Sequence, residues 1–193
     1  MTIQANDTVF HKKIAFDLVG GSGSGLFNVK TLGFTPEGRC TACWRGYLAG
    51  YSILDHRLFL TALLVWFPLG YKDPNKAAVE SETEADDVGF GDYLPDPNAS
   101  LPIPLFGVMP KNGRMGGCYY EGFRKPIQFT GKLVLGEDFL PGFLRGGFRR
   151  AWQFRIVREL TLKKGHVITD KSISAKMAKV RAEYVKRHPE EIR

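Results

Sequence analysis

Two closely spaced cysteines are the residues whose type and spacing come nearest to a chemical motif. Cys40 and Cys43 are separated by two residues, which is the spacing of a zinc knuckle. A structural zinc site needs four ligands, so Cys118 and one of the four histidines would have to complete it. The chain has no second such pair, and Cys43 opens an apolar stretch in which thiols are usually buried. The sequence therefore favours reduced, packed thiols, and we predict neither a metal nor a cofactor.

A glycine-rich run at residues 20–25 is the second pattern that could do chemistry. In a phosphate-binding loop, backbone N–H groups converge on the phosphate and a helix begins directly after them. Here the next residues, 26–34, are β-prone, and no Lys-Ser or Lys-Thr pair directly follows the last glycine. We therefore expect a flexible connection between two strands, residues 12–19 and 26–34, rather than a phosphate site.

Catalytic motifs are absent from the sequence. The chain has neither a GxSxG motif nor two histidines four positions apart. Glu121 is the one acidic residue inside an aromatic strand candidate, directly after Tyr120. A salt-bridged residue at a sheet edge is its simplest interpretation. A pocket between this strand and the one carrying Arg45 and Tyr47 would instead make Glu121 a buried acid, so an enzyme with these four residues in its pocket is one hypothesis.

Arginine and aromatic side chains cluster in two parts of the chain, at residues 44–51 and at residues 119–155. They are the side chains that stack on nucleic-acid bases and that dominate protein interfaces. Residues 136–150 place phenylalanine and leucine between glycines beside several arginines, which is typical of a binding surface or of a segment folded onto the sheet. The predicted partner-binding residues are Arg145, Phe148, Arg149, Arg150, Lys176, Lys179 and Lys186.

The elements that must position these residues are mostly strands. Two apolar-aromatic runs, residues 43–54 and 58–67, are separated by three turn residues and predict a central hairpin with Trp44 and Trp66 in the core. Further strands are predicted at 118–123, 126–135, 152–162 and 166–168. Apolar residues spaced for one helix face predict a C-terminal helix over 170–188.

Composition and charge limit the class of protein. The 193 residues have 44% hydrophobic and 24% charged residues, which excludes a disordered, collagen-like or coiled-coil chain and fits a single domain over 1–193. The net charge of +7 divides into +2 over residues 1–70, −6 over 71–100 and +11 over 101–193. Residues 71–100 predict an acidic, proline-containing loop or insert. A basic half suggests an anionic partner.

The location of the protein is inferred from two absences. No secretory signal is recognisable at the start of the sequence, and the longest apolar stretch of 12 residues is shorter than the about 20 that a membrane span needs. We therefore predict a cytoplasmic protein without membrane contact.

The segment 41–60 resembles a loosely defined group of small, mostly uncharacterised bacterial proteins. The resemblance rests on the strand Cys43-Trp44-Arg45-Gly46-Tyr47, the short turn after it and the Leu-x-Leu strand that follows. The stretches 126–133 and 164–167 are similar to the group's second half. The resemblance implies a bacterial, strand-rich protein and implies no activity.

Together these patterns predict an α+β fold: a mainly antiparallel, strongly bent sheet or partly open barrel with a C-terminal helix packed on it. We expect a non-enzymatic bacterial interaction protein, of the immunity or antitoxin type, whose basic, aromatic-rich surface binds another protein. A nucleic-acid-binding protein that uses the basic second half is the alternative, and the enzyme with Arg45 and Glu121 in a pocket is the third hypothesis. The sequence leaves the oligomeric state open.

Overall fold

The structure is a computed structural model of the chain and describes residues 2–68, 103–113, 116–143 and 147–189. The acidic segment 71–100 and Arg145 lie outside the described residues. The strands are β1 Ile3–Gln4, β2 Thr8–His11, β3 Ile14–Ser24, β4 Tyr47–Leu54, β5 Arg57–Val65, β6 Lys111–Asn112, β7 Cys118–Pro126, β8 Thr130–Phe139, β9 Gly147–Phe148, β10 Phe154–Lys163 and β11 His166–Ser172. The helix α1 spans Ser174–Arg187, and 3₁₀ turns occupy Val29–Leu32, Pro141–Phe143 and Ala151–Gln153.

Seven strands form a barrel, and α1 packs against it, which confirms the predicted α+β fold. Their order is β11-β10-β8-β3-β2-β4-β5, and β11 returns to β5 to close the ring. The β2–β4 pair is parallel and the other neighbours in the ring are antiparallel. The closing pair consists of His166 and Arg57, so β11 and β5 meet over a short length. A separate two-stranded sheet joins β1 to β9.

The central hairpin of β4 and β5 is confirmed, with one correction. Asp55 and His56 both have positive φ, which matches the twist of a tight antiparallel hairpin. Trp66 is 3% exposed and belongs to the core, whereas Trp44 is 65% exposed and the expectation that it is buried is wrong. Gly46 explains the difference: its φ of 71° breaks the extended chain, so β4 begins at Tyr47, after Trp44.

The core fills the barrel with buried apolar side chains from β7 and from six strands of the ring, and the partly buried Val167 of β11 packs against them. Its largest members with exposure below 2% include Tyr120, Leu58, Leu60, Leu63, Leu133, Leu135, Leu160 and Leu162. Alternate residues of β5 and β8 are buried, as expected for strands whose inner face lines a core.

The glycine run proves to be part of a strand. Residues 20–24 extend β3 beside β8, so the predicted flexible connection is wrong, and the strand predicted at 26–34 is replaced by the 3₁₀ turn Val29–Leu32. A glycine is required at two paired positions. Gly23 and Gly131 lie opposite each other with φ of 135° and 146°, and a Cβ on Gly131 would lie 2.0 Å from the Ser22 carbonyl oxygen.

The C-terminal helix packs against the start of β10. Its Tyr184 ring stacks on Trp152 with 4.5 Å between ring centroids, and Arg181 donates hydrogen bonds to the Trp152 and Phe154 carbonyls. The helix begins at Ser174, four residues later than predicted, because β11 continues through Ser172. Asp170 therefore lies in a strand and does not cap the helix.

Candidate partner-binding groove

A gap in the barrel wall creates the main candidate site. The strand β2 has four residues and joins β3 to β4, pairing with β3 from Ile14 to Asp17. Beyond Asp17, β3 continues to Ser24 while β2 does not, so the two neighbours of β2 separate. The gap that results is a groove of about 500 Å³. We call it the β3 groove; its lining residues are Asn6, Asp7, Leu18, Gly20, Gly21, Ser22, Gly23, Ser24, Gly25, Leu26, Arg45, Phe129 and Phe148.

Asp7 closes one end of the β3 groove. Its carboxylate accepts two hydrogen bonds from Arg45, at 2.7 and 3.0 Å, and a third at 2.8 Å from the backbone N–H of Ala49 in β4. Its backbone carbonyl accepts a hydrogen bond from Leu18 in β3. One residue thus connects β3 and β4 at the position where β2 no longer separates them.

The ion pair at this end is well fixed. Burial alone lowers the pKa of Arg45, but the hydrogen bonds and charge of Asp7 outweigh it and raise that pKa above its ordinary value. The guanidinium lies 4.8 Å from the Tyr47 ring centroid and 5.7 Å from that of Phe148, within the range of a cation–π contact. Arg45 is therefore held as a permanent charge with a defined orientation.

The floor of the β3 groove is an unpaired strand edge. From Gly20 to Ser24, β3 has β8 on one side, and no strand in the described part of the chain pairs with its other side. Every residue of this segment is exposed. Beside the edge, the Asn6 side-chain nitrogen is buried and donates to no group in the described residues. The groove therefore offers backbone and side-chain hydrogen-bonding groups that have no partner among the described residues.

Exposed aromatic residues stand at the Arg45 end of the groove. Phe148 of β9 is 52% exposed and Trp44 is 65% exposed. Both adjoin Gln4: Phe148 is its partner in the β1–β9 sheet, and the Trp44 backbone N–H donates to the Gln4 side chain at 3.1 Å. Large apolar groups left in water near a groove are typical of a binding surface.

Of the four residues predicted for an enzyme pocket, the groove contains Arg45. Tyr47 lies next to it, half-buried in β4. Tyr120 is fully buried in β7 and its hydroxyl donates to the Ile103 carbonyl, and burial raises its pKa above the ordinary value. Glu121 follows it on the exposed face, where a 2.6 Å hydrogen bond from Lys111 lowers the pKa of the carboxyl. The four side chains are not brought together around one cavity.

The predicted partner-binding residues are spread over the molecule. Phe148 lines the groove, and Arg150 is exposed. Arg149 has partners within the chain: it donates a hydrogen bond to Asp17 at 2.9 Å, and its guanidinium lies 4.6 Å from the Phe139 ring centroid. The helix lysines Lys176, Lys179 and Lys186 are exposed on α1.

The three cysteines are free thiols. Burial raises the pKa of Cys43 and of Cys118, so both are protonated at neutral pH. The Cys43 thiol donates to the Tyr47 carbonyl at 3.2 Å. Within the described ranges, no cluster of three or more histidine, cysteine or acidic side chains is arranged to hold a metal ion.

The sequence contains one signal for the β3 groove, in its glycine-rich run. The run Gly-Gly-Ser-Gly-Ser at 20–24 follows a β-prone stretch, which is compatible with a strand that carries few side chains. Asp7, which joins the two sides of the gap, stands among ordinary polar residues and has no local signature.

Comparison of the chain with protein-family models, curated proteins and solved structures found no match. Among the residues described, no helix has both the length and the apolar character needed to cross a membrane.

Proposed function

We propose that the protein is a non-enzymatic interaction protein whose β3 groove binds an extended segment of a partner protein by strand addition. The observation that carries the proposal is the open edge of β3 from Gly20 to Ser24. Backbone N–H and C=O groups along such an edge are a template for another extended chain. The edge is about 17 Å long, at about 3.4 Å per residue.

The number of hydrogen bonds available at this edge is sufficient for recognition. Successive residues of a strand direct their backbone groups to alternate sides, so two or three of the five residues present theirs to the groove, for about four to six hydrogen bonds. Proteins usually block exposed edges with charged residues or proline, and residues 20–24 contain neither. The small side chains also leave room for those of a bound segment.

The rest of the groove supplies side-chain specificity. Leu18, Leu26, Phe129 and the exposed Phe148 provide apolar surface beside the edge. Main-chain pairing contributes affinity in strand addition, and pockets for alternate side chains contribute specificity. An extended polypeptide with apolar residues on one face fits both features.

A matched pair of variants tests the groove. Gly20 lines the groove, and a Cβ on it would have no atom closer than 3.8 Å, so the backbone there accommodates the side chain that Gly20→Tyr introduces into the groove. Ala15→Tyr is the control, because Ala15 is exposed on the same strand but pairs with Phe10 of β2 outside the groove. Displayed random peptides of about ten residues are selected on the wild-type protein, and their affinities for both variants are measured.

We expect Gly20→Tyr to weaken the selected peptides at least about tenfold and Ala15→Tyr to change them less than about twofold. In the wild-type complex, backbone amides between Gly20 and Ser24 are expected to exchange more slowly with solvent, as measured by NMR. Failure to select any peptide, equal binding to both variants, or unchanged exchange at this edge would each refute strand addition here.

A concrete form of this role is an immunity or antitoxin protein acting in the bacterial cytoplasm, where occupation of a partner blocks its activity. The free state of Cys40, Cys43 and Cys118 agrees with a reducing compartment. Co-expression with the product of a neighbouring gene tests this form: protection of the cell from that product supports it, and no protection by any neighbour's co-expression opposes it.

A further inference from the structure

Three chain connections meet at one end of the barrel. They are the β4–β5 turn, the β10–β11 turn and the β7–β8 connection. Backbone hydrogen bonds join them: Leu58 donates to Gly165, Val167 to His56, and Ile127 to Leu58, at 2.8 to 3.0 Å. Gly165 is required there, since a Cβ on it would lie 2.1 Å from the Ile127 carbonyl oxygen. The end of the barrel is therefore a rigid platform.

This platform carries a concentration of positive charge that sequence proximity does not reveal. We call it the basic end; its exposed cations are Arg57, Arg124, Lys125, Lys163 and Lys164, with His56 and His166 beside them. Asp55 is the one acidic residue in the three connections that form the basic end. Lys163 pairs with His166, and His166 pairs with Arg57, so cations from distant parts of the chain lie on adjacent strands about 4.8 Å apart.

Within the described ranges, no carboxylate neutralises the cations of the basic end. Among described residues, none of the five has a carboxylate oxygen within 4.0 Å, in contrast to Arg45, Lys111 and Arg158, which each have one. Like charges held this close repel one another, and an anionic partner would relieve the repulsion. The uncompensated charge thus indicates a binding surface.

The basic end adjoins the β3 groove. Gly25 at the end of the groove lies against Phe129, with an ideal Cβ position 3.2 Å from the Phe129 Cα. The Phe129 carbonyl in turn accepts a 2.7 Å hydrogen bond from Gly165, which follows Lys164. A segment bound along β3 would leave the groove beside these cations.

We infer that the basic end binds the acidic continuation of the partner segment that occupies the β3 groove, so that the partner is an extended polypeptide with apolar residues followed by carboxylates. The inference rests on the proposed function and names the chemistry of its partner. Polypeptide is favoured over nucleic acid because the open edge of β3 presents backbone N–H and C=O groups that match those of a peptide. The exposed aromatic residues Trp44 and Phe148, which could stack on bases, lie at the other end of the groove.

Two double variants with the same change in charge test the inference. Arg57→Glu with Lys163→Glu alters the basic end, and the control Lys171→Glu with Arg187→Glu alters exposed cations at the far end of β11 and on α1. Arg57→Gln with Lys163→Gln removes the charges without reversing them. The probes are fluorescent peptides of about ten residues and an oligothymidylate of similar length. The Val-Glu peptide alternates Val and Ser in its first half and has Glu residues in its second half, and the Val-Ser peptide alternates Val and Ser throughout. Binding is measured by anisotropy at about 50 and 200 mM salt.

We expect the Val-Glu peptide to bind wild type at least about tenfold more tightly than the Val-Ser peptide at low salt, with the difference reduced at high salt. Both basic-end variants lose this difference and the control variant keeps it. Equal affinity of the two peptides, no binding of the Val-Glu peptide, or equal losses in both Glu variants would overturn the inference. Tighter binding of oligothymidylate than of Val-Glu, lost in the basic-end variants, would assign the surface to nucleic acid instead.

The same set of proteins separates this inference from the groove itself. If Gly20→Tyr weakens both peptides and the basic-end variants weaken neither, strand addition stands and the acidic partner is refuted. If the basic-end variants remove Val-Glu binding and Gly20→Tyr does not, the basic end stands and strand addition at β3 is refuted.

Discussion

Asp7 joins the two sides of the β3 groove, and its replacement tests whether that junction stabilises the barrel. The carboxylate accepts hydrogen bonds from Arg45 and from the Ala49 backbone, and the two side chains are 11% and 29% exposed. Removing one member of a buried ion pair costs about 3–5 kcal/mol, because the remaining charge and donors lose their partner. The partial exposure of Arg45 lets water replace some of that loss, so we expect Asp7→Ala to cost about 2–3 kcal/mol.

A graded series distinguishes charge from hydrogen bonding. Asp7→Asn keeps an oxygen acceptor for the Ala49 N–H but removes the negative charge, and is expected to cost about half as much as Asp7→Ala. The double variant Asp7→Ala with Arg45→Leu leaves no unpaired guanidinium. Its cost in unfolding free energy is therefore expected to be at least about 1 kcal/mol smaller than the sum of the two single costs.

Urea denaturation followed by tryptophan fluorescence measures these differences, with a lower midpoint and an unchanged slope as the expected signature. Glu37→Ala is the matched control, since Glu37 forms an ion pair with Arg39 in which the side chains are 46% and 31% exposed. Exposed pairs of this kind contribute about 0–1 kcal/mol. If Asp7→Ala costs no more than Glu37→Ala, or if the double variant is additive, the Asp7 junction does not stabilise the barrel as argued.

Three further outcomes follow from burial, backbone geometry and charge. Trp66→Ala is expected to cost about 3–5 kcal/mol and Trp44→Ala less than about 0.5 kcal/mol, measured by urea denaturation; equal costs would contradict their burial. Gly131→Ala is expected to cost at least about 2 kcal/mol and Gly20→Ala less than about 0.5 kcal/mol by thermal melting, with equal melting temperatures as the contrary result. Burial raises the pKa of Asp170, but hydrogen bonds from Lys12, His11 and Arg158 outweigh it and lower the pKa to about 2. Because the folded pKa is below the unfolded one, about 1–2 kcal/mol of stability is present above about pH 5 and lost as pH falls through the folded value. Asp170→Asn is expected to flatten the dependence of the unfolding free energy on pH over that range. An unchanged dependence would contradict the assignment of this effect to Asp170.

The parts of the fold that depend on local sequence could be predicted. The β4–β5 hairpin follows from two apolar runs around a short turn, and the C-terminal helix from its spacing of apolar residues. Trp44 was misassigned because it continues the apolar run in sequence, whereas the positive φ of Gly46 interrupts the strand in space. A glycine that permits extended and left-handed conformations alike gives no local indication of which one the chain adopts.

The site could not be predicted, because it depends on pairings between distant residues. The β3 groove exists since β2 is shorter than the two strands it joins, and strand length is set by the pairing of the whole barrel. The basic end arises where Arg57 meets Lys163 and Lys164 through closure of β11 on β5. In the sequence, Arg57 lies in the weakly charged segment 1–70. In the barrel, it lies beside cations of the basic segment 101–193.

In the proposed complex, the order of features along the groove limits which partner segments would fit, but it does not fix their chain direction. The aromatic residues Trp44 and Phe148 stand at the Arg45 end, and the basic end adjoins Gly25 at the other. An edge strand can accept a neighbour in either the parallel or the antiparallel sense, with a modest difference in stability. A segment and its reversed sequence can therefore both place apolar groups near Phe148 and carboxylates near Lys164, each by running in the direction that suits it. A segment with its carboxylates in the middle cannot, because either direction would leave them along residues 20–24, away from the cations of the basic end. In the proposed complex, the groove therefore constrains where the carboxylates of a segment lie along its length more strongly than it constrains the direction in which the segment runs.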